Sequence, residues 1–79
     1  MTWNESDGGL HAELTFADFA EAFAFITRVG LIAQEQGHHP DMAISWNRVT
    51  LTITTHDAGN TVTDKDRKLA AAIDAIGAT

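Results

Sequence analysis

Alternating apolar and polar positions near the start of the chain predict a β-hairpin. In the segment "LHAELTF" (10–16) every second residue is apolar, which is the period-two pattern of a strand with one buried face. The segment "TWNE" (2–5) precedes it as a second extended stretch, and Gly8-Gly9 between the two segments supplies turn chemistry. We therefore expect two paired strands here.

A helical pattern follows in the segment "TFADFAEAFAFITRVGLIAQEQG" (15–37). Thr15 with Asp18 three residues later resembles a capping box, which predicts the helix start. Gly37 suits the position just after the last turn, and Pro40 cannot continue the helix. Apolar residues at spacings of three and four predict one core-facing stripe on a helix of about five turns. Its predicted members are Phe16, Phe19, Phe23, Ile26, Gly30 and Ala33.

A second pair of strands is predicted in the segment 43–57, which is rich in Thr, Val and Ile. The apolar residues there alternate with Thr50, Thr52 and Thr54, so one face of this strand is expected to be buried. The buried residues are predicted to be Val49, Leu51 and Ile53. A partner strand is expected in "SWNRV", with a tight turn near Asn47-Arg48.

The last element is predicted to be a helix over residues 64–77. The segment "DAGN" (57–60) before this helix has residues typical of a turn, and Gly77 is expected to end the helix. Its inward-facing residues are expected to be Leu69, Ala70, Ile73 and Ile76. The order β-β-α-β-β-α predicts an α+β fold, in which a four-stranded antiparallel sheet carries its helices on one face. The chain, 1–79, is expected to be a single domain.

Charge and composition narrow the class of function. The 79 residues contain five Lys+Arg and eleven Asp+Glu, a net charge of −6 that disfavours nucleic acid and anionic membranes as direct partners. There is no cysteine, which excludes disulfides and thiolate chemistry. The start of the chain has no leader pattern, so we expect a cytoplasmic protein. Open sheet edges in so small a domain predict a homodimer or homotetramer that pairs through those edges.

Three of the four histidines are the candidate chemical groups. His38 and His39 lie in the loop after the first predicted helix, and His56 lies where the strand 43–57 ends. A three-histidine zinc site is one interpretation, although neighbouring residues rarely direct both rings at one ion. Metal-free acid–base catalysis is a second, because imidazole gives and takes protons near neutral pH. Structural roles, such as contacts to the last carbonyls of the helix, are the third.

The spacing of these residues resembles that of the pterin-4a-carbinolamine dehydratases. His38-His39-Pro40 is followed after five residues by Trp46, after nine more by His56, and after nine more by Asp66. The segments "TWNE", "FADFAEAFAFITRVGLIA" and "TDKDRKLAAAID" are similar to the first strand, main helix and last helix of that family. The resemblance therefore covers essentially the whole chain.

The resemblance implies loss of water from a 4a-hydroxytetrahydropterin, a hydro-lyase reaction in pterin cofactor recycling. His38 and His56 would be the acid–base pair, and His39 would bind and orient the pterin. Asp66 would either orient an imidazole or serve as a helix N-terminal charge, and Trp46 would either flank the pterin or lie in the core. The implied substrate-binding residues are Gly37, His38, His39, Thr54, Thr55, His56 and Asp57. No metal and no cofactor are implied, since the pterin is the substrate.

Two features depart from the family pattern. Gln34 stands where the family commonly has a glutamate, with Glu35 next to it, and the family's extra helix before the first strand is expected to be lacking. A rival interpretation is a dehydratase-like binding module without catalysis, acting as a transcriptional dimerisation cofactor or an assembly chaperone. The three histidines at family spacing favour the enzyme, with a protein partner as an additional role.

Overall fold

A computed structural model describes residues 2–76 as a four-stranded antiparallel sheet with two helices on one face. The elements are β1 (Asn4–Ser6), β2 (Gly9–Thr15), α1 (Phe19–Gln36), β3 (Asp41–Ser45), β4 (Arg48–Ile53) and α2 (Asp64–Ala75). The strand order is β1-β2-β4-β3, so β1 and β3 are the edge strands. This arrangement confirms the predicted α+β class, and no helix precedes β1 within the described residues.

The N-terminal hairpin is confirmed, with shifted boundaries. Ser6 pairs with Gly9, and the two-residue loop between them is Asp7-Gly8 rather than Gly8-Gly9. Asp7 and Gly8 both have positive φ, at 50° and 76°, which matches the twist of the flanking strands. β1 begins at Asn4, two residues later than the pattern predicted.

The hairpin between β3 and β4 corrects a sequence prediction. The loop is Trp46-Asn47, so "SWNRV" spans the turn instead of forming the partner strand. The side chain of Asn47 donates to the Phe16 carbonyl at 3.0 Å, and the Phe16 N–H donates to the Asn47 carbonyl at 2.7 Å. These bonds fix Asn47 and leave Trp46 at the tip, with its side chain 65% exposed. The prediction of a core position for Trp46 is therefore wrong.

The start of α1 also differs from the prediction. β2 continues through Thr15, and Asp18 is the capping residue, accepting from the backbone N–H of Glu21 at 2.9 Å. Glu21 in turn accepts from the Ala17 N–H at 3.3 Å. At the other end, Gly37 adopts a left-handed conformation with φ 67° and terminates the helix as predicted.

The face of α1 that meets the core was predicted only in part. The buried residues are Ala22, Phe25, Val29 and Ala33, of which only Ala33 was predicted. The predicted Phe16 and Ile26 are partly buried and pack against the core. Phe19 and Phe23 are 45% and 56% exposed, and their rings stack on each other at 5.8 Å. Because α1 is apolar on two adjacent faces, spacings of three and four fit both, and only packing against the sheet distinguishes them.

The core lies between the sheet and the helices. β4 buries Val49, Leu51 and Ile53, and α2 buries Leu69, Ala70 and Ile73, all as predicted. α2 ends at Ala75 with Ile76 half-buried, and the predicted terminating Gly77 lies outside the described residues. Within residues 2–76, neither helix combines the length and apolar character needed to cross a membrane.

Candidate active site

A cavity of about 240 Å³ opens beyond the C-terminal end of β4, where the loop after α1 meets the loop before α2. Its lining residues are Gly37, His38, His39, Thr54, Thr55, His56, Asp57 and Lys65. The structure thus brings together all seven residues that the family resemblance assigns to substrate binding. Lys65 is the lining residue that sequence reasoning missed. Its position directly before Asp66, in the first turn of α2, was the available signal.

His38 is held by a buried carboxylate. Its Nε2 lies 2.6 Å from Oδ1 of Asp66, whose side chain is completely buried. The other carboxylate oxygen, Oδ2, accepts from the Thr55 hydroxyl and from the backbone N–H of Thr63, both at 2.7 Å. Every buried polar side-chain atom among the described residues has a hydrogen-bond partner. The site beneath the cavity is therefore a closed polar network.

Asp66 has both of the roles weighed for it. It is the third residue of α2, and its bond from the Thr63 N–H caps the helix start. Its bond to His38 simultaneously fixes the orientation of that ring. Burial works to raise the pKa of Asp66, but hydrogen bonds from His38, Thr55 and Thr63 outweigh it and lower the pKa below its ordinary value of 3.8.

The ionised state of Asp66 decides the tautomer of His38. A carboxylate only accepts hydrogen bonds, so the proton of the short contact belongs to Nε2 of His38. In the neutral imidazole, Nδ1 then carries the lone pair. Nδ1 has no hydrogen-bond partner within residues 2–76, so it is the ring atom left to exchange a proton with a ligand.

His56 reaches the cavity from a short 3-10 helix, His56–Ala58, rather than from the strand itself. Its Nδ1 lies 2.8 Å from Oδ1 of Asn60. The chain reverses at Gly59 and Asn60, both in the left-handed region, with φ 77° and 57°. The backbone of Thr55 closes this loop, since its N–H and carbonyl both pair with residues 58–61.

His39 occupies a more exposed position and has a different partner. Its Nε2 lies 2.9 Å from Oε1 of Gln34, one turn back on α1, and it makes no bond to Asp66. Gln34, at the position where the resemblance expects a glutamate, thus contacts His39. Glu35 does not line the cavity.

Two candidate features are absent from the cavity. Trp46 lies in the turn before β4, at the opposite end of that strand from His56, and does not line the cavity. Within residues 2–76, no three side chains of the His, Asp and Glu type lie in an arrangement that would hold a metal ion. His38 and Asp66 instead bond to each other, and His39 and His56 bond to amide side chains.

A family model described as pterin 4 alpha carbinolamine dehydratase matches residues 1–76, and the chain belongs to this family. A relative from Solibacter usitatus, provisionally named a pterin-4-alpha-carbinolamine dehydratase, is 47% identical over 76 residues, covering 96% of this chain and 79% of the relative. A similarly named protein of Chloroflexus aurantiacus is 47% identical over 74 residues, covering 94% and 78%.

Solved structures give the same family and fold. A transcriptional coactivator/pterin dehydratase from Brucella melitensis superposes with a TM-score of 0.85 at 36% identity, covering 94% of this chain and 80% of that one. A pterin dehydratase-like protein identified as a RuBisCO assembly factor in the alpha-carboxysome has a TM-score of 0.74 at 21% identity, covering 94% and 84%. The second likeness concerns the fold alone.

Proposed function

We propose that this protein dehydrates 4a-hydroxytetrahydropterins to quinonoid dihydropterins, the hydro-lyase reaction of pterin cofactor recycling. The observation that carries the proposal is the convergence of His38, His39 and His56 on one cavity, above the buried Asp66. Membership of the family supports the same reaction.

The reaction requires one acid and one base. The bond from C4a to its hydroxyl oxygen breaks, and that oxygen leaves as water after receiving a proton. The N5 proton is removed, and its electron pair forms the C4a–N5 double bond. Both steps are proton transfers, for which histidine is suited near neutral pH. We therefore propose that neither a metal nor a cofactor takes part.

The proposed roles follow the hydrogen bonds of each ring. His38 exchanges its proton through Nδ1, because Asp66 holds Nε2–H. His56 is the second member of the acid–base pair, oriented by Asn60. His39, whose Nε2 bonds to Gln34 at the exposed rim, binds and orients the pterin. Backbone groups of Gly37, Thr54 and Asp57 are proposed to bind the pyrimidine edge, because those of Thr55 are taken up by the loop that carries His56.

A direct assay tests this function. A pterin-dependent hydroxylase generates the 4a-carbinolamine, and its dehydration is followed by absorbance with and without this protein. We expect a faster first-order decay that scales with protein concentration. A decay rate independent of added protein would contradict the enzyme proposal.

The name of one structural relative favours a second candidate function. The Brucella melitensis protein is called a transcriptional coactivator as well as a pterin dehydratase, so a protein partner is the alternative to catalysis. Affinity capture that returns a stoichiometric protein partner, together with an inactive wild type in the dehydration assay, would support this binding role instead.

We further propose that the protein self-associates. The edge strands β1 and β3 leave unpaired backbone groups, and we propose that copies of the protein pair through them as a homodimer or homotetramer. We also propose that the protein is cytoplasmic. Light scattering at micromolar concentration measures the mass directly. A mass of one chain, 8.5 kDa, would contradict pairing.

A further inference from the structure

The hydroxyl of Thr55 lies in the middle of the polar network beneath the cavity. Thr55 follows β4 and its side chain is buried, in line with the inward-facing residues of that strand. Its hydroxyl donates to Oδ2 of Asp66 at 2.7 Å. A hydroxyl has one proton to donate, and that of Thr55 goes to Asp66. In the 2.7 Å contact between the hydroxyls of Thr55 and Thr63, Thr63 is therefore the donor.

These bonds form one directed chain. The Thr63 hydroxyl donates to Thr55, Thr55 donates to Asp66, and Asp66 accepts from His38 Nε2. The three contacts of the chain are 2.6–2.7 Å long, and the Thr63 hydroxyl has in addition a longer contact of 3.4 Å to Oδ2 of Asp66. A network of this kind in a buried site strengthens its members and opposes rotation of the carboxylate.

The backbone of Thr55 holds the loop that carries His56. Its N–H donates to the Thr61 carbonyl at 3.2 Å, and its carbonyl accepts from the N–H groups of Ala58 and Asn60 at 3.2 and 3.1 Å. These bonds close the loop that carries His56 and its partner Asn60. Thr55 is therefore linked to His38 through Asp66 and to His56 through the backbone of residues 58–61.

We propose that Thr55 is a positioning residue that sets His38 and His56 relative to each other, His38 through the hydroxyl chain and His56 through the backbone. Its importance for turnover rests on the proposed dehydratase function. Its effect on the His38 ring does not, because that effect is a property of the protein without substrate.

Two substitutions isolate the contribution of the Thr55 hydroxyl. Thr55→Val keeps the shape and all backbone bonds but removes the donor to Asp66, and Thr55→Ser restores a donor. Thr50→Val is the matched control, since Thr50 lies on β4 outside the cavity, on an exposed face. Thr55→Ala replaces Thr55→Val if valine prevents folding.

Two readouts decide the proposal. Nitrogen-15 NMR of the His38 ring reports the ratio of Nε2–H to Nδ1–H tautomers. We expect this ratio to fall about fivefold in Thr55→Val and to recover in Thr55→Ser. In the dehydration assay we expect kcat to fall about tenfold in Thr55→Val with KM little changed, because the catalytic ring is held less well in place.

The two proposals fail in different ways. An inactive wild type would contradict the dehydratase function, yet the tautomer ratio would still support or refute positioning by Thr55. If Thr55→Val folds with an unchanged tautomer ratio and, where the wild type is active, an unchanged kcat, the positioning role is overturned. Wild-type behaviour of Thr50→Val is required for either conclusion.

Discussion

Oδ1 of Asp66, a completely buried carboxylate at the start of α2, lies 2.6 Å from Nε2 of His38 in the loop after α1. The two residues are 28 positions apart in sequence. Their contact joins the end of one helix to the beginning of the other at the cavity floor. It also makes the helix-capping residue part of the candidate catalytic site, so stability and activity are linked through one side chain.

Replacement of Asp66 by asparagine tests this link. The amide of Asp66→Asn can donate to Nε2, which would move the ring proton to Nδ1 and remove the base. We expect dehydratase activity to fall by about 10²-fold or more. We also expect the free energy of unfolding to fall by about 1–3 kcal/mol, measured by urea titration.

Asp74→Asn is the matched control, because it removes the same charge from α2 on the surface, where Asp74 accepts from Trp3 at 2.9 Å. It is expected to keep wild-type activity. Full activity in Asp66→Asn would show that His38 does not depend on this carboxylate.

The lowered pKa of Asp66 predicts acid-sensitive stability. Below the ordinary value of 3.8 the unfolded chain binds a proton that the folded Asp66 still excludes, so the unfolding free energy decreases as the pH falls. The contribution is complete above that value and disappears as the pH falls through the lowered pKa. Urea titrations between pH 6 and 3 should therefore give a shallower acid decline in Asp66→Asn than in the wild type. Parallel pH profiles for the two proteins would contradict the assignment.

Gly8 supports the His56 loop from the N-terminal hairpin. A Cβ added at Gly8 would lie 1.9 Å from the carbonyl oxygen of Asn60, and its φ of 76° is itself unfavourable for alanine. We expect Gly8→Ala to lower the unfolding free energy by about 1–3 kcal/mol. Gly59→Ala is the control, since Gly59 has nearly the same φ but open space around it. If the free energy of unfolding fell equally in the two variants, the contact between the added Cβ and Asn60 would not be destabilising.

Replacement of Gln34 by glutamate tests the contribution of His39 to substrate affinity. In Gln34→Glu the amide oxygen that contacts His39 at 2.9 Å becomes a carboxylate oxygen. The pair is exposed, so the gain is expected to stay within about 1 kcal/mol. We therefore expect KM to fall by about fivefold at most, with kcat unchanged. Glu35→Gln, outside the cavity, should leave both constants unchanged, and a drop in kcat with Gln34→Glu would refute a purely binding role for His39.

The spacing of apolar residues correctly predicted the buried side of those elements that carry apolar residues on one face only. β4 alternates cleanly, so Val49, Leu51 and Ile53 were assigned to the core correctly. α1 carries apolar residues on two adjacent faces, so spacing alone placed Phe19 and Phe23 in the core, where the structure buries Ala22 and Phe25 instead. The position of the β3–β4 turn depends on contacts between Asn47 and Phe16, which no local pattern reveals.

The residues of the candidate site could be predicted from the sequence, but the hydrogen bonds between them could not. Family spacing located His38, His39, His56 and Asp66 along the chain. The contact between His38 and Asp66 depends on how segments 28 positions apart pack. Thr55 was assigned only a binding role. Its position two residues after Ile53 was the signal for an inward side chain, because inward residues alternate along a strand.

One comparison of dehydration rates tests the proposed histidine pair, between the wild type and the double variant His38→Ala with His56→Ala. His11→Ala is the control, because His11 bonds to Thr52 and Ser6 away from the cavity. We expect the wild type and the control to accelerate loss of the 4a-carbinolamine, and the double variant to return it to the uncatalysed rate. A wild type without acceleration, or a double variant as fast as the wild type, would contradict this expectation.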